Sequence, residues 1–242
     1  MSITYYTIKG KTDGFGAQYQ SIMSGIAFCK YNKYTYIHTP FTRMQHNVDI
    51  AKLNKFIGVN NDHLKCNNLL PSKNDKIIEQ IFSKEVHWHK NPSIYYTNEV
   101  LQMIRNWYFS TEKPNIGNID IAIHIRRGDV SKKRNNTRYT DNSVYIKIIK
   151  HLRIKYPSYT ITIFSEGKYD DFKELGLEEK NFKLNIDICE TFHSLACAKV
   201  LITSISSFSY CAALINANTV YYTSFWHKKI DHWLSIEALI GI

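Results

Sequence analysis

The stretch "IAIHIRRGDV", residues 121–130, decides how the chain is read. Its apolar positions alternate or adjoin as they do in a strand covered on both faces. The strand then ends on His124, Arg126 and Arg127, with Gly128 and Asp129 directly behind them. Side-chain alternation puts His124 and Arg126 on one face and Arg127 on the other, until the chain bends at Gly128. Neighbouring guanidiniums repel unless something anionic lies between them. An arginine fork grips phosphate oxygens in pairs, so a diphosphate would relieve that repulsion. The structural alternative is an ion pair at the strand end, Arg127 with Asp129.

Strands and helices alternate regularly to the C-terminal side of this stretch. Helix 141–156, capped by Asp141, is followed by strand 159–165, helix 168–176, strand 182–187 and helix 190–199. Strand 199–205, helix 206–216, strand 219–223 and a terminal helix 231–241 complete the series. Such alternation predicts a parallel sheet with helices on both faces. Upstream, strand 3–9, a glycine turn, a helix from Ala17 to Lys30 and strand 34–39 make a second α/β start. Ile22, Ile26 and Cys29 share one face of that helix. Residues 48–58 and 75–82 read as helical, and 85–89 and 93–97 as extended. Residues 98–109 read as a helix capped by Asn98. The Pro/Gly-bearing segment 112–118 is the candidate linker. The expected division is an N-terminal α/β domain over residues 1–115 and a C-terminal one over 116–242, with a cleft between them.

With 242 residues, 44% of them apolar, the chain can bury a proper core. Its formal charge of +10 fits either a lysine-rich solvated surface or attraction to phosphates on nucleic acid or a small nucleotide. Five scattered cysteines (Cys29, Cys66, Cys189, Cys197, Cys211) without a CxxC pair argue against a disulfide scaffold and a structural zinc site. Cys197 and Cys211 read as small buried apolar groups. The N-terminus lacks a signal-peptide pattern and no apolar run is long enough to span a membrane, so a cytoplasmic location is expected.

Ligands of open α/β sheets bind beyond the carboxyl ends of the strands. Besides the arginine stretch, two polar clusters are placed there. In Asp13–Gln18, Gly14 and Gly16 offer positive φ and close backbone approach, or ordinary turn chemistry. Ser206, Ser207, Phe208 and Ser209 open a helix, where free amides and the dipole favour an anion; simple N-capping by serine is the plainer reading. Arginines, a helix terminus and a glycine turn together favour a nucleotide diphosphate.

These motifs resemble those of the GDP-fucose-dependent fucosyltransferases. "HIRRGDV" is similar to their H-x-R-R-x-D motif, "DGFGAQYQ" to their N-terminal glycine turn, "ITIFSE" to their F-S-D/E strand end, and "SSFS" to their last motif. The order is most similar to the α-1,2 branch. The resemblance implies a GT-B-like α/β fold, two Rossmann-like domains facing a cleft. It further implies inverting transfer of L-fucose from GDP-β-L-fucose to a glycan acceptor, such as a galactoside, with no cofactor and no metal. By motif position, Arg126 would grip the β-phosphate, supported by Arg127 and oriented by Asp129. His124, Ser165 and Glu190 would lie along the nucleotide, the Ser206–Ser209 segment would hold phosphate, and Gly14, Gly16 and Gln18 would complete the donor site. Two departures stand out. Ala17 replaces the asparagine of G-N-Q, and "SKKRNN" replaces an acidic residue past the arginines, so the acceptor's base is left to Asp13 or Asp129. The competing classes are a nucleotide-sugar-binding protein without transfer activity and a basic nucleic-acid-binding module.

Overall fold

The computed structural model describes residues 3–46, 48–60 and 74–241. The chain divides into two compact units. One comprises Met1–Lys113 and Trp226–Asp231, the other Pro114–Phe225 and His232–Ile242. Both belong to the α/β class, with wholly parallel sheets among the described residues.

The first unit is built on strand β1 (Thr4–Ile8), flanked by β2 (Thr35–Tyr36) and β3 (Lys76–Gln80) in the order β2-β1-β3. Helix α1 (Phe15–Asn32) is buried along most of its length, including Ile22, Ile26 and Cys29. Gly25 lets it lie directly on β1, because a Cβ there would come within 2.6 Å of Ile8 Cγ1. Helix α2 (Ile50–Ile57) confirms the helical reading of 48–58, with Asp49 capping it through Lys52 N at 2.9 Å.

Four local expectations are corrected in this unit. Residues 75–82 form strand β3, paired in register with β1 from Thr4↔Lys76 to Ile8↔Gln80. The apolar spacing of so short a run fits either period, and the β-branched Ile77 and Ile78 suit the strand. Residues 85–89 are not extended: helix α3 (Lys84–His87) buries Val86 and His87 and leaves Trp88 exposed. Residues 93–97 are not extended either. Asn91 Oδ1 accepts from Ser93 N and Pro92 sets the first position of a 3₁₀ turn over Pro92–Ile94. Helix α4 (Asn98–Phe109) is capped by Thr97, whose Oγ1 accepts from Val100 N, rather than by Asn98.

The second unit carries six strands: β4 (Ile121–His124), β5 (Ile161–Ser165), β6 (Phe182–Leu184), β7 (Val200–Ile202), β8 (Thr219–Tyr222) and β9 (Leu234–Ser235). Their spatial order is β6-β5-β4-β7-β8-β9. Counted within the unit this is 3-2-1-4-5-6, the Rossmann order, with its reversal between β4 and β7. Ile121, Ile123 and Ile125 are fully buried and pack with Tyr145, Ile148, Ile149 and Leu152 of helix α5 (Asn142–Lys155). Ala122 and His124 face the other side, where the His124 ring lies 5.5 Å from that of Phe208. Asp141 caps α5 as expected.

Helix α6 (Ile188–Cys197) precedes β7, and helix α7 (Ser207–Ile215) follows it. Asp187 starts α6 by accepting from Cys189 N and Glu190 N. Residues 169–175 form a 3₁₀ helix instead of an α-helix. The terminal helix α8 spans only Ile236–Ile240, because Ser235 caps it and Leu234–Ser235 joins the sheet beside Tyr221 and Tyr222. Four cysteines are free thiols and Cys66 lies outside the described residues. Cys211 is buried as expected, whereas Cys197 is partly exposed beside His193, with Sγ 3.6 Å from Nδ1. No helix among the described residues is long and apolar enough to cross a membrane.

Asn216, fully buried, holds the α6–β7 connection by donating to Leu195 O at 3.0 Å and Ala198 O at 2.9 Å. Replacing it with alanine strands buried carbonyls, so Asn216→Ala should lose roughly 1–3 kcal/mol, read as a lower urea midpoint at unchanged slope.

Candidate functional site

The strand order reverses between β4 and β7, and the carboxyl ends of such strands are the general ligand position in sheets of this kind. Two hydrogen bonds join the elements that border it. His124 Nδ1 lies 2.8 Å from Ser204 Oγ, and Arg126 Nη1 donates to Ile205 O at 3.3 Å. The arginine-bearing strand end and the serine-led helix thus form one site.

Arg126 also donates from Nε to Asp129 Oδ1 at 3.1 Å and from Nη2 to Asp129 Oδ2 at 2.6 Å. The ion pair expected at the strand end is therefore Arg126–Asp129, not Arg127–Asp129. Asp129 fixes the fork's plane, while each terminal nitrogen of Arg126 keeps one hydrogen with no partner among the described residues. Gly128 makes the turn possible: its φ of +78° favours glycine, and the flexible end of Glu166 reaches over the place a Cβ would take.

Arg127 departs from expectation. Its guanidinium donates to Arg126 O at 2.9 Å, Thr140 O at 3.0 Å and Asn142 Oδ1 at 2.6 Å, and lies 4.3 Å from the centre of the Tyr139 ring. Alternation sends it to the α5 face, so no shared anion is needed to keep the two cations apart. Arg127 fastens the loop beneath Arg126 through these contacts.

His124 is nearly buried, and that burial lowers its pKa to about 3, with the Arg126 charge pushing the same way and Asp129 opposing it. The imidazole is neutral near pH 7, which leaves Arg126 as the cation of the site.

The first turn of α7 supplies the opposing wall. Ser206 Oγ accepts from Phe208 N at 3.2 Å, so Ser206 is the N-cap. The amides of Ser207 and Ser209 have no partner among the described residues and stand at the positive end of the helix. The Ser209 hydroxyl is turned inward. It is fully buried and accepts from Ser204 N at 3.1 Å, closing the turn from β7 into α7. The Phe208 ring packs between His124 and Phe192, at 5.5 Å and 5.3 Å.

Of the remaining expected residues, Ser165 ends β5 and donates to the adjacent Glu166 O at 3.0 Å. Glu190 lies in the first turn of α6. Gly14, Gly16 and Gln18 belong to the first unit. Positive φ is not used there: Gly14 has φ −68° as the N-cap of α1, and Gly16 is helical. Gln18 Nε2 donates to Asp13 O at 2.7 Å and Arg43 O at 2.8 Å, holding the loop together.

Two further residues matter that the sequence motifs did not single out. Ser204, buried at the end of β7, links His124 to the turn before α7. Glu166 follows β5, the second strand of the Rossmann order, where an acid accepts from ribose hydroxyls in dinucleotide-binding sheets. Its carboxylate stands over Gly128. The signal for it was present, since it is the acid of "ITIFSE" one step past Ser165.

The fold is that of a parallel α/β protein in which an arginine-bearing strand end meets a serine-led helix at the strand reversal. No protein-family model and no curated protein matches the chain. Among solved structures it is similar to E. coli heptosyltransferase WaaC with ADP-2-deoxy-2-fluoro heptose, at 8% identity and a TM-score of 0.46, over 96% of this chain and 92% of that one. It is similar to POFUT1 in its apo form, at 11% identity and a TM-score of 0.46, over 93% and 98% of the two chains. It is also similar to a point mutant of Arabidopsis thaliana FUT1 in complex with GDP, at 10% identity and a TM-score of 0.42, over 95% and 73%.

Burial lowers the pKa of His38 and His227 to about 4, and of His87 and His124 to about 3, below the ordinary value near 6.5. Below that value the unfolded chain binds protons that the folded chain refuses. The histidine contribution to stability is thus complete above about pH 6.5 and shrinks as pH falls toward the folded pKa. Thermal melts between pH 7 and about pH 5 should show falling Tm, and His124→Asn should flatten that slope.

Proposed function

We propose that the protein is a glycosyltransferase of GT-B type that moves L-fucose from GDP-β-L-fucose to a hydroxyl of a glycan acceptor, a galactoside in α-1,2 linkage. The observation that carries this reading is the joined site at the strand reversal. The unspent donors of Arg126 and the free amides of Ser207 and Ser209 border one site, tied together through His124–Ser204 and Arg126–Ile205. This donor set suits a diphosphate, which offers several oxygens and charge to both walls.

In this reading the barrier lies in breaking the bond between the sugar and the β-phosphate, which leaves negative charge on GDP. Arg126, locked by Asp129, meets that charge without reorganising, and the α7 amides take the remaining oxygens. Neutral His124 lines the nucleotide without adding a competing positive charge, and Glu166 accepts from the ribose hydroxyls. The motif resemblance supplies the choice of guanine and fucose. No step in the scheme calls for a metal.

One observation favours a second reading, a nucleotide-sugar-binding protein without transfer. Asp129, one of the two candidate bases, is committed to Arg126 through both carboxylate oxygens.

The deciding experiment incubates the protein with GDP-fucose, with and without a galactoside, and follows GDP release. Acceptor-dependent release supports the enzyme, whereas tight GDP binding without release supports the second reading. Arg126→Ala should cut turnover by about 10²–10³ or more and abolish thermal stabilisation by GDP while the fold persists. Glu166→Gln should weaken GDP binding with a smaller effect on bound-state turnover. Unchanged turnover in Arg126→Ala, or strict dependence on manganese, overturns the scheme.

A further inference from the structure

Helix α5 spends one face on the core and leaves the other bare. Tyr145, Ile148, Ile149 and Leu152 are buried, while Ser143, Ile146, Lys147, Lys150, Arg153 and Ile154 are exposed. At 3.6 residues per turn those six exposed positions fall within one arc of roughly 120°.

The arc carries three cations and no acid. Neither the Lys147 nor the Lys150 side chain has a partner among the described residues. Arg153 donates from Nη2 to Gly176 O at 2.8 Å, a neutral acceptor that leaves its charge uncompensated. On the 3₁₀ helix that packs beside α5, the acids are already engaged. Asp170 pairs with Lys173 at 2.7 Å, Asp171 accepts from Lys168 N at 2.8 Å, and Glu174 accepts from Asn142 Nδ2 at 2.8 Å. At the head of α5, Asp141 is held by Lys132 at 2.7 Å. In α8, the other neighbour, Glu237 is the single acid.

Two aliphatic side chains share this face with the cations. Ile146 is 37% exposed and Ile154 72%, one turn before and one turn after Lys150. Isolated exposed aliphatics are ordinary, but these two lie on one ridge with a lysine between them. The cations select an anionic partner, and the isoleucines decide its kind. Sites for single-stranded nucleic acid pair their cations with aromatic rings on which bases stack, and this face has none. Protein interfaces are depleted of lysine at their centre, the place that Lys150 holds. A bilayer surface takes both groups: ammoniums reach the headgroups on flexible stems while aliphatic chains enter the acyl boundary.

We infer that the exposed face of α5 docks on an anionic bilayer surface, with Lys147, Lys150 and Arg153 on the lipid headgroups and Ile146 and Ile154 among the upper acyl carbons. Three cations and two aliphatic side chains make a reversible contact, not an anchor. The docking does not require the transferase reading; if both hold, transfer takes place beside a membrane.

The test mixes the full chain with sedimentable vesicles at about 0.1 M salt, made either of phosphatidylcholine alone or with about 30% phosphatidylglycerol added. The protein should pellet with the anionic vesicles and stay in solution with the neutral ones. Raising the salt to about 0.5 M should release it. Each basic residue near an anionic leaflet is worth about fivefold in binding, so Lys147→Gln/Lys150→Gln should weaken it roughly twentyfold or more. Lys90→Gln/Lys183→Gln, which removes the same charge from exposed positions elsewhere, should bind as the unsubstituted chain does. Ile154→Ser should weaken binding severalfold with every charge in place. An unchanged thermal melt checks that each variant is folded. Equal binding to both vesicle types, binding to neither, equal loss in the two charge variants, or indifference to Ile154→Ser overturns the inference. Release of the protein by duplex DNA at equal phosphate concentration assigns the face to nucleic acid and overturns it as well. GDP-induced stabilisation of the same variants reports the arginine site, so the docking and the transferase reading fail separately.

Discussion

The contact between His124 and Ser204 closes a gap that the sheet topology itself creates. At the strand reversal, the chain leaves β4 toward β5 on one side and leaves β7 toward β8 on the other. The two connections therefore run away from the junction on opposite sides. Something must still hold the two strand ends in register, and buried polar groups there need partners. A neutral imidazole and a buried serine hydroxyl do both without placing charge in the floor. Were His124 protonated, it would stand next to Arg126 in low dielectric, and the site would trade a single aimed cation for mutual repulsion.

That constraint explains why the two adjacent arginines behave differently. A strand presents consecutive side chains to opposite faces, so Arg126 enters the site and Arg127 enters the layer under α5. Each is neutralised locally by different means. Arg126 takes a carboxylate in a flat, bidentate contact that leaves its outer hydrogens aimed outward. Arg127 takes carbonyls, an amide and an aromatic face. That stretch turns on Gly128, whose φ of +78° a side chain would strain, with the Glu166 carboxylate above it. Four short-range requirements thus meet within six residues, His124 to Asp129.

The legible parts of the sequence were those where one period dominates. β4 reads as a strand because apolar residues sit on both its faces, and α1, α2, α5 and α7 read as helices from their spacing and caps. Alternation also placed His124 and Arg126 together and Arg127 apart. What was not legible depended on long-range partners. The run 75–82 fits either period until β1 lies beside it. Residues 231–241 read as one helix because the pairing of Leu234 with Tyr221 is invisible locally. The return of Trp226–Asp231 to the first unit also escapes sequence reading: Ile230 is buried, and Asp231 N donates to Ser93 Oγ at 2.8 Å across a long separation. At the site, residue types were legible but their partners were not. Asp129 pairs with the nearer-facing arginine because a side chain three residues on, past a left-handed glycine, folds back over the same face.

Satisfied polar groups say as much about the site as unsatisfied ones. The serines around α7 look equivalent in sequence, yet Ser206 and Ser209 spend their hydroxyls on the turn itself and Ser204 spends its own on His124. That internal spending is what frees the amides of Ser207 and Ser209, because a cap that holds the turn rigid removes the need for those N–H groups to find structural partners. The first unit fastens its loop in the same way, where Gln18 commits both amide hydrogens to backbone carbonyls. In each unit the loop is fastened with groups that face inward, and at the α7 turn the amides left over have fixed directions before any ligand arrives. Preorganised groups of this kind lose little entropy on binding, so a small number of unspent atoms is enough to make a crevice selective.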